Sequence, residues 1–484
     1  MRLCVAAAIV VAACSDEERS TYGDIRSLGY FFTQVKIGTP QQTFTVIIDT
    51  GSAMTIVPCV GCANCGNGHD LDNPLFDASL SSTSGVEKAL AFSKSYMEGS
   101  SLGGMVLADD LCIGATCRPR DSFVAFFGCA TKMTNLFKSQ NADGIMGMGV
   151  SSDRQSGARS ALQSLVAARG EAHAAFEFCF GRAGGFIVLG EWYTTHHVAP
   201  MQWAALRSLL QTPFYEVSVS TIGFAAAAAV GVDTHVMIDT GSSFSYAPQA
   251  TFDALKAALD AWCAADTASR CRGEVLASVE GSLACFDFGR DATQRAMRIA
   301  SFPPLRVALA GAADVDGASS SQRVELCIPP SQYFYAVDPR VVAGGGGAGG
   351  DDAVQQGGCV GIVADSLWTI GANFLMDYSV VLDMTPPRGI GSNAERIGFA
   401  RAKCGTDAVP WQCASDPTVA DLARAPFTNG LGLDWGSPNT PLSFDQSAPS
   451  GVIRMDVGHT VRSSVASEQR RRRRRLLSAY IAMD

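Results

Sequence analysis

Ile47-Ile48-Asp49-Thr50-Gly51-Ser52 recurs later in the chain as Met237-Ile238-Asp239-Thr240-Gly241-Ser242. The two aspartates stand 190 positions apart, about the length of an ordinary domain. Each copy follows an apolar, β-branched run, and each is followed a few residues on by a proline, Pro58 or Pro248. A single Asp-Thr-Gly reads as a simple turn, because Asp and Gly both favour turns. Two copies in the same strand-then-loop setting read as an internal repeat, one in each half of the chain.

Each position of the repeat has a physical task if the two loops meet. The apolar strand buries the start of the loop and fixes where it emerges. Asp49 and Asp239 supply two carboxyl groups. The Thr50 and Thr240 hydroxyls can cross a pseudo-twofold axis and bond the opposite loop. Gly51 and Gly241 lack a Cβ, so the backbone can turn tightly beside a carboxylate. The Ser52 and Ser242 hydroxyls can donate to an Asp oxygen and hold it in place. Two carboxyls within hydrogen-bond reach do not both ionise readily, so they share a proton and titrate in two separated steps. The charged member can take a proton from a water between them while the neutral member protonates a carbonyl oxygen. Both acid and base roles are filled without a metal, a cofactor or a covalent intermediate.

The rest of the composition bounds the setting. A chain of 484 residues with 47% hydrophobic and 17% charged content can bury a large two-part core and is not disordered as a whole. A net charge of -9 and a pI near 5.2 argue against nucleic acid as the main partner. Sixteen cysteines point to an oxidising compartment. The N-terminus agrees: Arg2 precedes an apolar run, Leu3 to Cys14, that ends at Ser15-Asp16-Glu17-Glu18. The run is shorter than the roughly 20 residues that span a bilayer and suits a cleaved signal over residues 1–14. A lipoprotein-type cleavage at Cys14 and a gene-prediction artefact are the alternatives. No Asn-X-Ser/Thr acceptor with X other than Pro occurs, so N-glycosylation is not expected.

From Tyr30 to about Arg401 the chain reads as short strands, among them Phe44–Ile48, Phe186–Leu189, Tyr215–Val219 and Val380–Leu382. Helices are expected at Ser160–Arg169 and Ala250–Ala265, the second with Phe252, Leu255, Leu259 and Trp262 at helical spacing. Cys59–Asn73 and the glycine-rich Ala343–Gly358 read as surface insertions. Beyond Cys404 the composition turns to Pro, Ser, Asp and Gly, with a basic run at Arg470–Arg475, and reads as a largely disordered tail. No segment reads as a transmembrane helix. His196-His197 fall in a predicted turn and read as surface residues.

Further segments appear in a telling order. They are Gly29-Tyr30-Phe31-Phe32, Ile37-Gly38-Thr39-Pro40, Ala142-Asp143-Gly144-Ile145-Met146-Gly147, Trp368-Thr369-Ile370-Gly371-Ala372-Asn373-Phe374-Leu375 and Arg396-Ile397-Gly398-Phe399-Ala400. Together with the repeat they make the chain resemble the pepsin family of aspartic proteases over about Gly29 to Cys404. Pepsin is itself the type case of the shared-proton carboxyl pair. The resemblance implies an all-β, bilobal fold with a few short helices and a cleft between two pseudo-twofold-related lobes, 29–200 and 201–404, after a short lead at 15–28. It implies an aspartic endopeptidase with Asp49 and Asp239 as the catalytic pair. Thr50, Gly51, Ser52, Thr240, Gly241 and Ser242 support them, and Tyr96, in Ser95-Tyr96-Met97-Glu98-Gly99-Ser100, sits on a flap over the substrate. The expected partners are peptides or proteins of the secretory pathway or outside the cell, and the protein is expected to act as a monomer.

Three departures qualify the resemblance. Many members of the family carry Trp where this chain has Ile56, so the flap is expected to be less restrained and its pocket more apolar. The cluster Cys59, Cys62, Cys65, with Phe127-Gly128-Cys129, is similar to the nepenthesin-type and endoplasmic-reticulum plasmepsin-type branches and implies disulfides. Zinc, with His69 as a fourth ligand, is the alternative reading of that cluster. Cys112 and Cys117 flank a Gly-containing turn and can pair with each other. Few residues lie between the expected signal and Gly29, so inhibition by a long prosegment is not assumed. A pepsin fold without catalysis, acting as a binding or inhibitor protein, is the alternative function.

Overall fold

The computed structural model describes residues 18–25, 28–63, 65, 75–85, 90–96, 99–118, 121–138, 140–149, 157–207, 212–224, 229–266, 270–276, 281–312, 323–337, 357–385 and 395–405. The segment expected to be a signal, His69 and the Arg470–Arg475 run lie outside them.

Each half is built around the same device. In the first, strand Gln42–Asp49 buries Phe44, Val46, Ile47 and Ile48 and runs parallel to Gly144–Gly147, with Asp49 opposite Gly147. In the second, strand Ala229–Asp239 runs parallel to Thr369–Gly371, with Asp239 opposite Gly371. The strand after each aspartate then crosses its neighbour antiparallel, Ile56 opposite Ile145 and Tyr246 opposite Thr369. Strands covered on both faces need near-continuous apolar runs, which explains why the aspartates follow such runs in the sequence.

The halves share one sheet. Strand Ala175–Gly181 lies between Gly184–Leu189 and Tyr378–Asp383, and Tyr378–Asp383 in turn pairs with Arg396–Arg401. Strand Glu18–Asp24, inside the segment expected to be a short lead, pairs with Gly184–Leu189 on one side and with Tyr30–Ile37 on the other. Its buried residues are Arg19 and Thr21, not apolar ones. Two further sheets, of seven and four strands, complete the second half.

The expected helices form with small boundary shifts. Ala161–Arg169 starts at Ser160, whose hydroxyl accepts from Gln163 N while the Gln163 side chain accepts from Ser160 N, a capping box. Gln249–Ala265 buries Phe252, Leu255 and Leu259. Among the described residues no helix is long and apolar enough to cross a membrane.

Three expectations are corrected. Cys59 does not begin an insertion: it continues strand Thr55–Ala63 and is 2% exposed, because that strand pairs with Phe123–Met133 beyond Pro58. Likewise, Gly357 and Gly358 open strand Gly357–Val360, while the rest of the glycine-rich stretch lies outside the described residues. His197 is not a surface residue. Its side chain is only 7% exposed, with Nε2 2.9 Å from Ser379 Oγ and 3.8 Å from the buried Glu177 carboxylate. His196 remains part-exposed and meets Glu18 Oε2 at 3.1 Å, tying the turn to the first strand.

Six disulfides join described residues: Cys59–Cys129, Cys62–Cys65, Cys112–Cys117, Cys179–Cys404, Cys263–Cys271 and Cys285–Cys359. The first two take up all three cysteines of the cluster that zinc would need, and Cys112 pairs with Cys117 as its spacing allows. Among the described residues no group of three or more His, Cys, Asp or Glu is placed to hold a metal ion.

Candidate active site

The two Asp-Thr-Gly-Ser loops meet where the halves join. The Thr50 hydroxyl donates to Ile238 O at 2.8 Å, and the Thr240 hydroxyl donates to Ile48 O at 2.7 Å. Each hydroxyl also accepts from the backbone of the other loop, Thr240 N to Thr50 Oγ1 at 3.0 Å and Thr50 N to Thr240 Oγ1 at 3.1 Å. All four bonds are buried. Each contributes about 1 kcal/mol net, but their main effect is geometric: they set the separation of the loops that carry the carboxyls.

Within each loop the carboxyl is held by its own turn. Gly51 N donates to Asp49 Oδ1 at 2.8 Å, and Gly241 N donates to Asp239 Oδ1 at 2.9 Å. The Ser52 hydroxyl donates to Asp49 Oδ2 and the Ser242 hydroxyl to Asp239 Oδ2. Both aspartates are 0% exposed. A Cβ on Gly51 would lie 2.6 Å from Asp239 Oδ1, so the second carboxyl rests against the first loop. This contact demands glycine at that position.

The electrostatics follow from this placement. Burial is the first cause that pushes the Asp49 carboxyl well above its ordinary range, and the charge of nearby Asp239 pushes it further. Asp239 is also raised, again first by burial, while the hydrogen bonds from the Ser242 hydroxyl and Gly241 N pull it back. Each carboxyl is among the groups that shift the other, which places the two within interaction range. Two buried carboxyls so close do not both ionise readily, which favours one shared proton and a single negative charge on the pair.

Tyr96 stands at the end of the hairpin formed by Ala91–Ser95 and Ser101–Ile113. Tyr96 N donates to Ser100 O and Gly99 N donates to Tyr96 O, both at 2.8 Å, which closes the turn. The Tyr96 ring is 6% exposed and packs on Phe137 with centroids 4.9 Å apart. It belongs to the apolar cluster of Ile47, Met54, Ile56, Phe92 and Leu102. Asn135 Nδ2 donates to Gly99 O at 2.6 Å and ties the hairpin end to the segment beneath it. Met97 and Glu98 lie outside the described residues. The structure therefore brings together Asp49, Thr50, Gly51, Ser52, Asp239, Thr240, Gly241 and Ser242, and sets Tyr96 in the wall of the first half.

Reading the sequence motif by motif missed the side chains that back the second loop, Ser245 and Asn373. The Ser245 hydroxyl donates to Asn373 Oδ1 at 3.0 Å and accepts from Gly371 N at 3.1 Å. The signal was present as position: Ser245 lies three residues after Ser242, and Asn373 lies inside the already notable Trp368–Leu375 segment.

Two mirrored β-built halves that lock their Asp-Thr-Gly loops together define the pepsin-like architecture. The sequence profile described as eukaryotic aspartyl protease matches residues 30–401, and the chain belongs to that family. It is 29% identical over 213 residues to Aspartic protease 5 of Toxoplasma gondii, a match covering 37% of this chain and 21% of that protein. It is 26% identical over 185 residues to plasmepsin V of Plasmodium falciparum, covering 35% of this chain and 30% of the relative. These two matches thus span under a third of either relative's length. With gastricsin of Callithrix jacchus the identity is 25% over 381 residues, covering 77% of this chain and 81% of the relative.

A Cβ at position 51 tests the loop contact directly. Gly51→Ala is expected to lower peptidase turnover by about a hundredfold, because the new methyl must displace the Asp239 carboxyl from its partner. Turnover of a fluorogenic peptide, with circular dichroism to confirm folding, measures this. Near-normal turnover in a folded variant would show that the carboxyls need not lie so close.

Proposed function

We propose that this protein is an aspartic endopeptidase whose catalytic pair is Asp49 and Asp239. The observation that carries this reading is a pair of fully buried carboxyls, the second set against the first's loop, held by mirrored loops that are locked together. The charged carboxyl takes a proton from a water as that water attacks the scissile carbonyl carbon. The protonated carboxyl gives its proton to the carbonyl oxygen, forming a neutral tetrahedral diol. Collapse delivers a proton to the leaving nitrogen and breaks the C–N bond, and the carboxyl pair ends with the one proton it began with. Gly51 N–H, Gly241 N–H and the two serine hydroxyls keep each carboxyl oriented through the cycle.

The lobes of this reading are 29–200 and 201–404, joined through the shared sheet, with an extended peptide lying across both. Tyr96 serves on the flap, its hairpin closing over the peptide. Six disulfides and kinship with a protein named as a probable vacuolar protease support a place in the secretory pathway, where protein substrates would be met.

The test is digestion of a peptide library at acidic and near-neutral pH, read by mass spectrometry, with Asp49→Ala in parallel. The wild type is expected to cut and the variant to leave the library intact. A folded, disulfide-bonded wild type that cuts nothing at either pH would instead favour a binding or inhibitor protein.

A further inference from the structure

The two halves hold their aspartate loops in different ways, although the loops themselves match. In the second half, Ser245 and Asn373 form a buried circuit, 3% and 1% exposed. Ser245 Oγ donates to Asn373 Oδ1, and Asn373 Nδ2 donates to Gly361 O at 2.9 Å. Ser245 Oγ also accepts from the backbone N–H of Gly371, the residue in register with Asp239. Ser245 N donates to the same Gly361 carbonyl, and Ala372 N donates to Ser242 O at 2.8 Å. Three chain segments around the Asp239 loop, Ser242–Ser245, Gly361 and Gly371–Asn373, are thus joined.

Among the described residues the first half has no such circuit. Thr55 occupies the place of Ser245, three residues after Ser52, and its buried hydroxyl has no hydrogen-bond partner among the described residues. Gly149 occupies the place of Asn373, two residues after Gly147. A side chain cannot be housed there, because a Cβ would lie 2.8 Å from Ser52 O. The Asp49 loop is backed by main-chain bonds, Met148 N donating to Asp49 O and Gly149 N to Ser52 O, with one side chain behind them, Tyr215, whose hydroxyl donates to Met148 O at 2.8 Å.

We propose that Ser245 and Asn373 are positioning residues for the peptidase reaction, holding the Asp239 loop so that its donors stay aimed at the Asp239 carboxyl. This rests on the peptidase reading above and deepens it. Neither side chain touches substrate. Their effect passes through Gly371 and Ser242 to Gly241 N–H and the Ser242 hydroxyl, which stabilise the charged form of Asp239. When the loop loosens, those donors weaken. Charge on the pair then forms at higher pH, so the acidic limb of the rate profile moves upward.

The experiment compares Ser245→Ala, Asn373→Leu and the double variant with wild type and with Ser245→Thr, which keeps a hydroxyl. Thr55→Val is the control in the first half. In Ser245→Ala and Asn373→Leu, kcat is expected to fall about tenfold with KM little changed, and the acidic limb to move upward. The double variant is expected to fall no further than the worse single one, because both break one circuit. Ser245→Thr is expected to recover most of kcat, and Thr55→Val to match wild type. Folded single variants with an unmoved limb and wild-type kcat would overturn the proposal, even if they melt earlier. Equal effects from Thr55→Val would overturn it too. If the wild type itself does not cut, the peptidase reading fails. If it cuts and these variants behave like it, only the positioning role fails.

Discussion

Asp239→Asn is expected to reduce peptide cleavage by about 10⁴-fold while leaving the protein at least as stable at pH 7 as the parent. Most substitutions of a fully buried polar residue do the reverse and weaken the fold. The difference comes from what the two carboxyls do to each other. Both are raised above the ordinary carboxylate value of 3.8, first by burial. The folded protein therefore holds a proton on the pair that the unfolded chain releases. The sign follows: this contribution to stability is fully present below the unfolded value and is lost as pH rises through the folded one. At neutral pH the pair is a liability to folding that function retains. Asn keeps the shape and its carbonyl oxygen can still accept from Gly241 N; its amide nitrogen takes the other oxygen's place, where the Ser242 hydroxyl can turn to accept from it, and it carries no charge to repel Asp49.

Thermal melts from pH 4 to 8 check the stability half of this claim. The parent is expected to lose stability with rising pH more steeply than Asp239→Asn. Peptide turnover checks the other half, with the parent losing activity as rising pH removes the shared proton. Parallel melting profiles for the two proteins would mean that the carboxyls do not share a proton, and the mechanism built on them would fail.

Removing the Cys179–Cys404 disulfide is expected to produce the largest loss of stability among the disulfide deletions. Its cysteines are 225 residues apart and enclose the whole second half, including Asp239. On the chain-entropy account, opening a loop of that length costs about 5 kcal/mol, against about 2.5 kcal/mol for Cys263–Cys271, separated by 8 residues. Cys179 sits on the shared sheet, opposite Phe186 on one neighbour and Ser379 on the other. Cys404 follows the last strand, Arg396–Arg401. The bond thus fastens the end of the second half to a strand of the first. Urea unfolding of the double Ala variants of each pair measures the difference. Below its melting range the Cys179/Cys404 variant is expected to keep turnover, because the threonine bonds still lock the loops. Equal losses for the long and short loops would refute the entropic argument here.

The legibility of the site in the chain has a physical basis. A carboxyl pair needs Asp, a crossing hydroxyl, a residue without Cβ and a second donor at fixed spacing, and few other sequences meet those needs. The strands before the loops were legible for a related reason, since burial on both faces requires continuous apolar runs. Helix Gln249–Ala265 announced itself through Phe252, Leu255 and Leu259 on one face. Strand Glu18–Asp24 did not, because its inward residues are Arg19 and Thr21. Arg19 is tolerated inside because its Nε donates to Ile113 O at 3.0 Å, a partner 94 positions away that no local pattern reveals. His197 was misjudged for the same reason: the groups that receive it, Ser379 and Glu177, come from distant strands.

By itself, the order of amino acids determined the chemistry available to this protein: two copies of one loop, the apolar strands that deliver them and cysteines suited to an oxidising setting. Those features depend on residue type and short spacing, which the chain carries locally. Only the tertiary structure decided that Cys59 joins Cys129, that a polar N-terminal stretch becomes a strand, and that Ser245 finds Asn373 behind one aspartate while Thr55 finds no such partner behind the other. These are pairings between remote segments, chosen by which surfaces are buried together and which donors must then be satisfied.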